Sequence, residues 1–128
     1  MPSQLSFVRV EQIGDVCVAH VLRKRILDEP TIFKIGEDLF SLIDVYGHRS
    51  ILLNMFEVEY MSSAMLGKFI TLQKKLQARG GKLVMCCLDE DIWEPLRVTR
   101  VDQIWKIIET QAQGLNQFAS WSTRRADF

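Results

Sequence analysis

The sequence predicts an α/β fold in which strands and helices follow the order ββαβαβαβα, and three observations carry that reading. Two valine-rich runs, LSFVRV (residues 5–10) and VCVAHVL (residues 16–22), flank Gly14-Asp15 and read as an antiparallel opening pair. Two nearly continuous apolar runs, ILLNMF (residues 51–56) and KLVMCCL (residues 82–88), read as central strands covered on both faces. Residues 62–79 between them have helical periodicity, so strand, helix and strand make a βαβ unit with a right-handed crossover.

The remaining elements follow in chain order. RKRIL (residues 23–27) is a basic connector. Three charges without interleaved aromatics read as a solvated loop or the rim of a protein interface rather than a nucleic-acid patch. Asp28-Glu29-Pro30 opens the first helix, because acidic groups suit its positive end and proline is tolerated in its first turn. Ile32, Ile35, Leu39, Leu42 and Tyr46 then recur at helical spacing, Phe33, Phe40 and Ile43 widen the stripe, and Gly47 ends it.

The second helix has the clearest signals. Ser62 and Ser63 stand at its start as N-cap residues, whose hydroxyls accept from first-turn N–H groups, and Gly80-Gly81 close it. Met65, Phe69, Leu72 and Leu76 form one apolar stripe, and Lys68, Thr71, Lys75 and Arg79 fall mostly on the opposite face. Asp89-Glu90-Asp91 starts a third helix with Ile92, Trp93, Leu96 and Val98 inward; Pro95 implies a late start or a kink. VDQIWKII (residues 101–108) holds a last short strand, and residues 110–118 a short final helix. Residues 119–128 read as a polar, basic tail that is mobile or docks through Trp121. One domain over residues 5–118 with this tail is the expected organisation.

Composition narrows the function classes. Apolar residues make up 48% of 128, too many for a disordered chain. Sixteen basic and sixteen acidic residues cancel, so electrostatic capture of nucleic acid or of an anionic membrane is not expected. No run has transmembrane length, and MPSQLSFVRVEQ lacks the regions of a signal peptide. Cys17, Cys86 and Cys87 lie in strand-like apolar runs without a CxxC pair, and read as buried thiols in a reducing cytoplasm. No metal and no cofactor is expected.

Chemistry-bearing motifs are few. There is no GxGxxG, no GxxxxGK[ST], no GxSxG elbow and no HExxH. His20 reads as a strand residue, since no acidic or histidine partner sits at ligand spacing, and His48 as an exposed loop residue. A nucleophilic Ser62 or Ser63 would need a base, and only these two histidines are available; a small serine-dependent hydrolase or transferase using Ser63 stays open as the alternative. The distinctive arrangement is two hydroxyls at the positive end of a well-formed helix, at the tip of a buried strand. Such an end favours a phosphate.

The stretch VEYMSSAMLGKFITLQKKLQARGGKLVMC, followed by LRVTRVDQIWKI, resembles the STAS domain of anti-sigma-factor antagonists. That family's pattern is an apolar strand, D-S-S-G-L-G, an amphipathic helix, R-G-G, another apolar strand and a closing L-x-x-T-G-L-D-x-x-F-like segment. Leu66-Gly67, Gly80-Gly81, and Leu96, Thr99, Val101, Asp102 and Trp105 match it. The resemblance spans about residues 5–118. It implies a mostly parallel five-stranded sheet with an antiparallel first strand, and helices packed on the sheet.

The resemblance also implies a non-enzymatic, cytoplasmic regulatory module. Its partner would be a kinase-like anti-sigma factor, whose capture releases a sigma factor; a homodimer is left open. Its interface would be the 62–75 helix start and outer face plus the 23–30 loop: Ser62, Ser63, Ala64, Met65, Lys68, Thr71, Lys75 and Asp28. Aligned without gaps, Ser62 replaces the family's Asp, Ser63 the first Ser, Ala64 the second Ser, which is the usual phosphoacceptor, and Met65 the Gly. Either Ser63, with Ser62 second, takes the phosphate, or the domain is an unswitched structural module of a larger assembly.

Overall fold

The computed structural model describes residues 4–5, 7–98, 100 and 103–126. Along the chain lie β1 (Gln4–Leu5), β2 (Val8–Ile13), β3 (Val16–Val21), β4 (Arg25–Ile26), α1 (Glu29–Asp44), β5 (Ser50–Asn54), β6 (Tyr60–Met61), α2 (Ser63–Ala78), β7 (Lys82–Cys86), α3 (Glu90–Val98), β8 (Lys106–Ile108) and α4 (Gln111–Ala126). The main sheet has the order β1-β2-β3-β5-β7-β8. β1, β2 and β3 pair antiparallel, and β3, β5, β7 and β8 pair parallel. The expected α/β architecture is present, with the two-residue β1 added at the edge. Basic connector residues 25–26 also pair, in parallel, with β6.

The apolar runs are continuous because the sheet is covered on both sides. Side chains alternate along each strand, so neighbours enter different cores. Cys17, Ala19, Ile51, Leu53, Leu83 and Met85 pack with α1, α2 and α3 through Ile35, Leu39, Phe69, Leu72, Ile92 and Leu96. Val16, Val18, Leu52, Val84 and Cys86 pack with α4 through Phe118, Leu115 and Trp121.

The cap signals mostly hold. Asp28 is the N-cap of α1, accepting from Thr31 N (3.1 Å) and Thr31 Oγ1 (2.8 Å), with Pro30 in the first turn. α2 ends where Gly80 takes φ +72, and Gly81 N donates to Leu76 O at 2.8 Å.

Several expectations need correction, among them Val98, which is exposed rather than inward. Of the two alternatives at Pro95 the late start is overturned, since α3 begins at Glu90; its first turn is held by Asp89, which accepts from Asp91 N through Oδ1 and from Ile92 N and Trp93 N through its carbonyl. α4 continues through Ala126 where a tail was expected to start at residue 119, and the segment docks through Trp121, one of the two readings made of it. Trp121 meets the Phe118 ring edge-on at 5.5 Å, and the Lys82 ammonium sits over its face, so packing extends a segment with little apolar pattern of its own. His48 is half-buried rather than exposed, and so is Cys87 rather than fully buried. The expected matches at Thr99, Val101 and Asp102 lie outside the described residues.

Candidate functional site

The start of α2 is positioned by the parallel sheet. β5 ends at Asn54, the chain turns through Met55 and Phe56, and the β4–β6 pair sets Ser62, whose N–H donates to Ile26 O at 3.0 Å. Ser62 has the extended N-cap backbone, φ −80 and ψ 165, but its hydroxyl makes no capping bond. Its Oγ is buried without a hydrogen-bond partner among the described residues. The sequence assigned this hydroxyl to the helix N–H groups; burial turns it away, so the side chain caps none of them, and of the first-turn donors Met65 N–H is held instead by the Ser62 carbonyl at 3.1 Å.

Ser63 and Ala64, the next two residues, are exposed. They form a ridge between two clefts. One, of about 530 Å³, is lined by Glu29, Pro30, Ile32, Phe33, Ala64 and Lys68, between the starts of α1 and α2. The other, of about 330 Å³, includes Tyr60, Ser62, Ser63, Leu66, Asp91 and Leu96, between α2 and α3. The two clefts bring Ser62, Ser63, Ala64 and Lys68 together at the α2 start, and Asp28 caps α1 one residue before cleft-lining Glu29.

Other predicted contact residues are placed differently. Met65 is fully buried, because it opens the apolar stripe of α2, and it cannot touch a partner directly. Lys68 and Lys75 lie over the α1–α2 seam instead of facing outward. The Lys68 Nζ stands 5.7 Å from the Phe33 ring centre and 6.0 Å from that of Phe40, and Lys75 Nζ bonds Asp44 Oδ2 at 2.9 Å. Long stems let both lysines cover apolar surface while the charge stays wet. Thr71 is exposed, its hydroxyl donating to Gly67 O at 3.1 Å.

Sequence reasoning missed Phe33, Tyr60 and Asp91. Phe33 reads as part of a buried stripe, yet it is 60% exposed beside Ala64 and Lys68, since the helix axis puts it at the stripe's edge. Asp91 reads as a helix opener, and nothing in the sequence places it in a cleft with Ser63.

The histidines lie elsewhere. His20 Nε2 is 3.4 Å from Glu11 Oε1 across the β2–β3 pair, and burial, then the Arg9 charge, lower its pKa against the pull of Glu11. His48 precedes β5, at the sheet end opposite Ser62, and burial lowers its pKa. Among the described residues neither histidine hydrogen-bonds to Ser62 or Ser63, and no three His, Cys, Asp or Glu side chains stand together as a metal site. No helix among them is long and apolar enough to cross a membrane.

The profile of the STAS domain family matches residues 2–114. The chain belongs to the STAS domain family. The STAS fold accounts for its solved neighbours. A putative anti-sigma factor antagonist from Thermotoga maritima is 20% identical, with TM-score 0.76 over 88% of this chain and 94% of that one. An anti-sigma factor antagonist from Mycobacterium paratuberculosis is 18% identical, with TM-score 0.76 over 86% and 91%. The Bacillus cell fate determinant SpoIIAA in its phosphorylated form is 12% identical, with TM-score 0.68 over 87% and 98%. In this STAS domain the α2 start carries Ser62, Ser63, Ala64 and Met65.

Proposed function

We propose that this STAS domain is a non-enzymatic, cytoplasmic regulatory module that docks the start of α2 onto a serine-kinase-type anti-sigma factor and so controls a sigma factor. The observation that carries the reading is the exposed Ser63–Ala64 ridge between two apolar-lined clefts. A ridge with grooves on both sides suits recognition by shape, with Phe33 and Lys68 on one flank and Tyr60 on the other. Ser62, Ser63, Ala64, Lys68, Thr71 and Asp28 are the contact residues, and Lys75 contributes through the Asp44 pair at the edge.

Ser63 is the phosphoacceptor in this reading, with Ser62 second. The Ser62 hydroxyl is buried, whereas Ser63 is exposed in the first helical turn. A phosphate there meets free N–H groups and the positive helix end, so the fold tolerates it. It also adds roughly −1.5 to −2 charges beside Asp91 and across the docking ridge, which opposes binding.

The test is incubation with the host's kinase-type anti-sigma factor and ATP, with site mapping and titration calorimetry. Phosphate on Ser63, weaker binding of Ser63→Asp and an unchanged melting temperature are expected. Phosphate found only away from the 62–63 turn would sink the switch. No phosphate, with binding indifferent to Ser63→Asp, would favour the unswitched module that Ala64 at the usual acceptor position suggests. Ester or phosphate hydrolysis abolished by Ser63→Ala would replace both with an enzyme.

A further inference from the structure

β7 ends at Cys86, and the adjacent Cys87 departs from the geometry of a continuing strand. Successive side chains of a strand point to opposite faces. Met85 packs on the α1–α3 side and Cys86 on the α4 side, so a regular Cys87 would return to the α1–α3 side. Instead Cys87 takes φ +63, a left-handed conformation that is unfavourable for a side chain with a Cβ. Its N–H donates to Glu109 O at 3.1 Å, and its side chain joins the α4-side cluster. The turn brings the two sulfurs to 3.6 Å.

That separation is an S–H···S contact from Cys87 to Cys86, longer than any S–S bond. A disulfide needs about 2.05 Å, and usual disulfides join Cα atoms at least about 4.4 Å apart. Adjacent residues offer only about 3.8 Å. A single thiophilic atom with bonds to sulfur of about 2.3 Å holds two sulfurs roughly 3.5 to 3.8 Å apart, for bond angles from pyramidal to tetrahedral. The observed distance falls within that span. Among the described residues no third Cys, His, Asp or Glu completes a metal site, so the centre must be satisfied by two protein sulfurs.

We infer that Cys86 and Cys87 form a dithiol site for a mono-organic trivalent arsenical, the class whose arsenic takes two sulfurs and keeps one carbon. Both S–H bonds break and two As–S bonds form. The oxygen of the R–As=O reagent leaves as water with both thiol protons, and no oxidation state changes. Entry is through half-buried Cys87, with buried Cys86 closing the ring.

Phenylarsine oxide on the full chain, read by intact mass spectrometry, tests this. One adduct per chain, formed with loss of water, should survive excess glutathione and be removed by dithiothreitol. Cys17→Ala should keep that behaviour. Cys86→Ser and Cys87→Gly, the latter compatible with a positive φ, should each lose the resistance to glutathione, with circular dichroism reporting the fold. If either variant unfolds, peptide mapping of the wild-type adduct must place arsenic on both residues 86 and 87. No glutathione-resistant adduct, one that persists in Cys87→Gly, arsenic on Cys17, or loss of both thiols to a disulfide without bound arsenic would each overturn the assignment.

Discussion

Asn54 and Gln111, 57 residues apart in sequence, share a hydrogen bond of 2.8 Å from Asn54 Nδ2 to Gln111 Oε1. The Asn54 Oδ1 accepts from Phe56 N at 3.0 Å, so one nearly buried amide ties the end of β5 to α4 and turns the chain toward the α2 start. Asn54→Ala leaves these partners unsatisfied and should cost about 1–3 kcal/mol. Urea unfolding measures it. A double-mutant cycle with Gln111→Ala should show coupling, and additive losses would mean that the bond contributes little.

Phe69 and Leu72 are fully buried on the sheet-facing side of α2. Either residue changed to Ala should destabilise the domain by about 2–5 kcal/mol, the range for deleting a large core side chain. A midpoint shift in denaturant equivalent to less than about 0.5 kcal/mol, typical of surface sites, would contradict this packing.

Gly114 packs against Leu52 so closely that an added Cβ would stand 2.7 Å from Leu52 Cδ1. Alanine gains about 1 kcal/mol in helix propensity, while overpacking costs about 1–3 kcal/mol. Gly114→Ala should therefore be destabilising overall. Leu52→Val in the same chain should recover part of the loss, and thermal melts of the two variants check the sign.

The Nε2 of His48 is buried without a hydrogen-bond partner among the described residues, and burial lowers the imidazole pKa below its ordinary 6.5. The unfolded chain then binds this proton at a higher pH than the folded one. The associated stability is fully present above about pH 6.5 and falls as pH drops from there toward the folded value, then levels off. His20, also lowered, acts in the same direction. His48→Gln should flatten the stability profile between about pH 7 and pH 5. An unchanged slope in chemical denaturation would assign the pH dependence to other groups.

The sequence by itself determined the alternation of strands and helices, because apolar period and cap residues are local signals. Asp28 and Gly80 cap their helices as read, and the runs around residues 51–56 and 82–88 are central strands. It also carried the family, through motifs strung along most of the chain. Tertiary structure decided what each site residue can reach. The Ser62 hydroxyl is buried and Ser63 exposed although both suit an N-cap, because the β4–β6 pair fixes the entry angle. Met65 and Lys75 lie on one helix but serve the core and the α1 seam respectively, a matter of the neighbouring helix rather than of spacing. Cys86 and Cys87 are only two adjacent thiols until the backbone turns left-handed at the second. That turn follows from where β7 stops against Glu109, and such a long-range contact has no local signature.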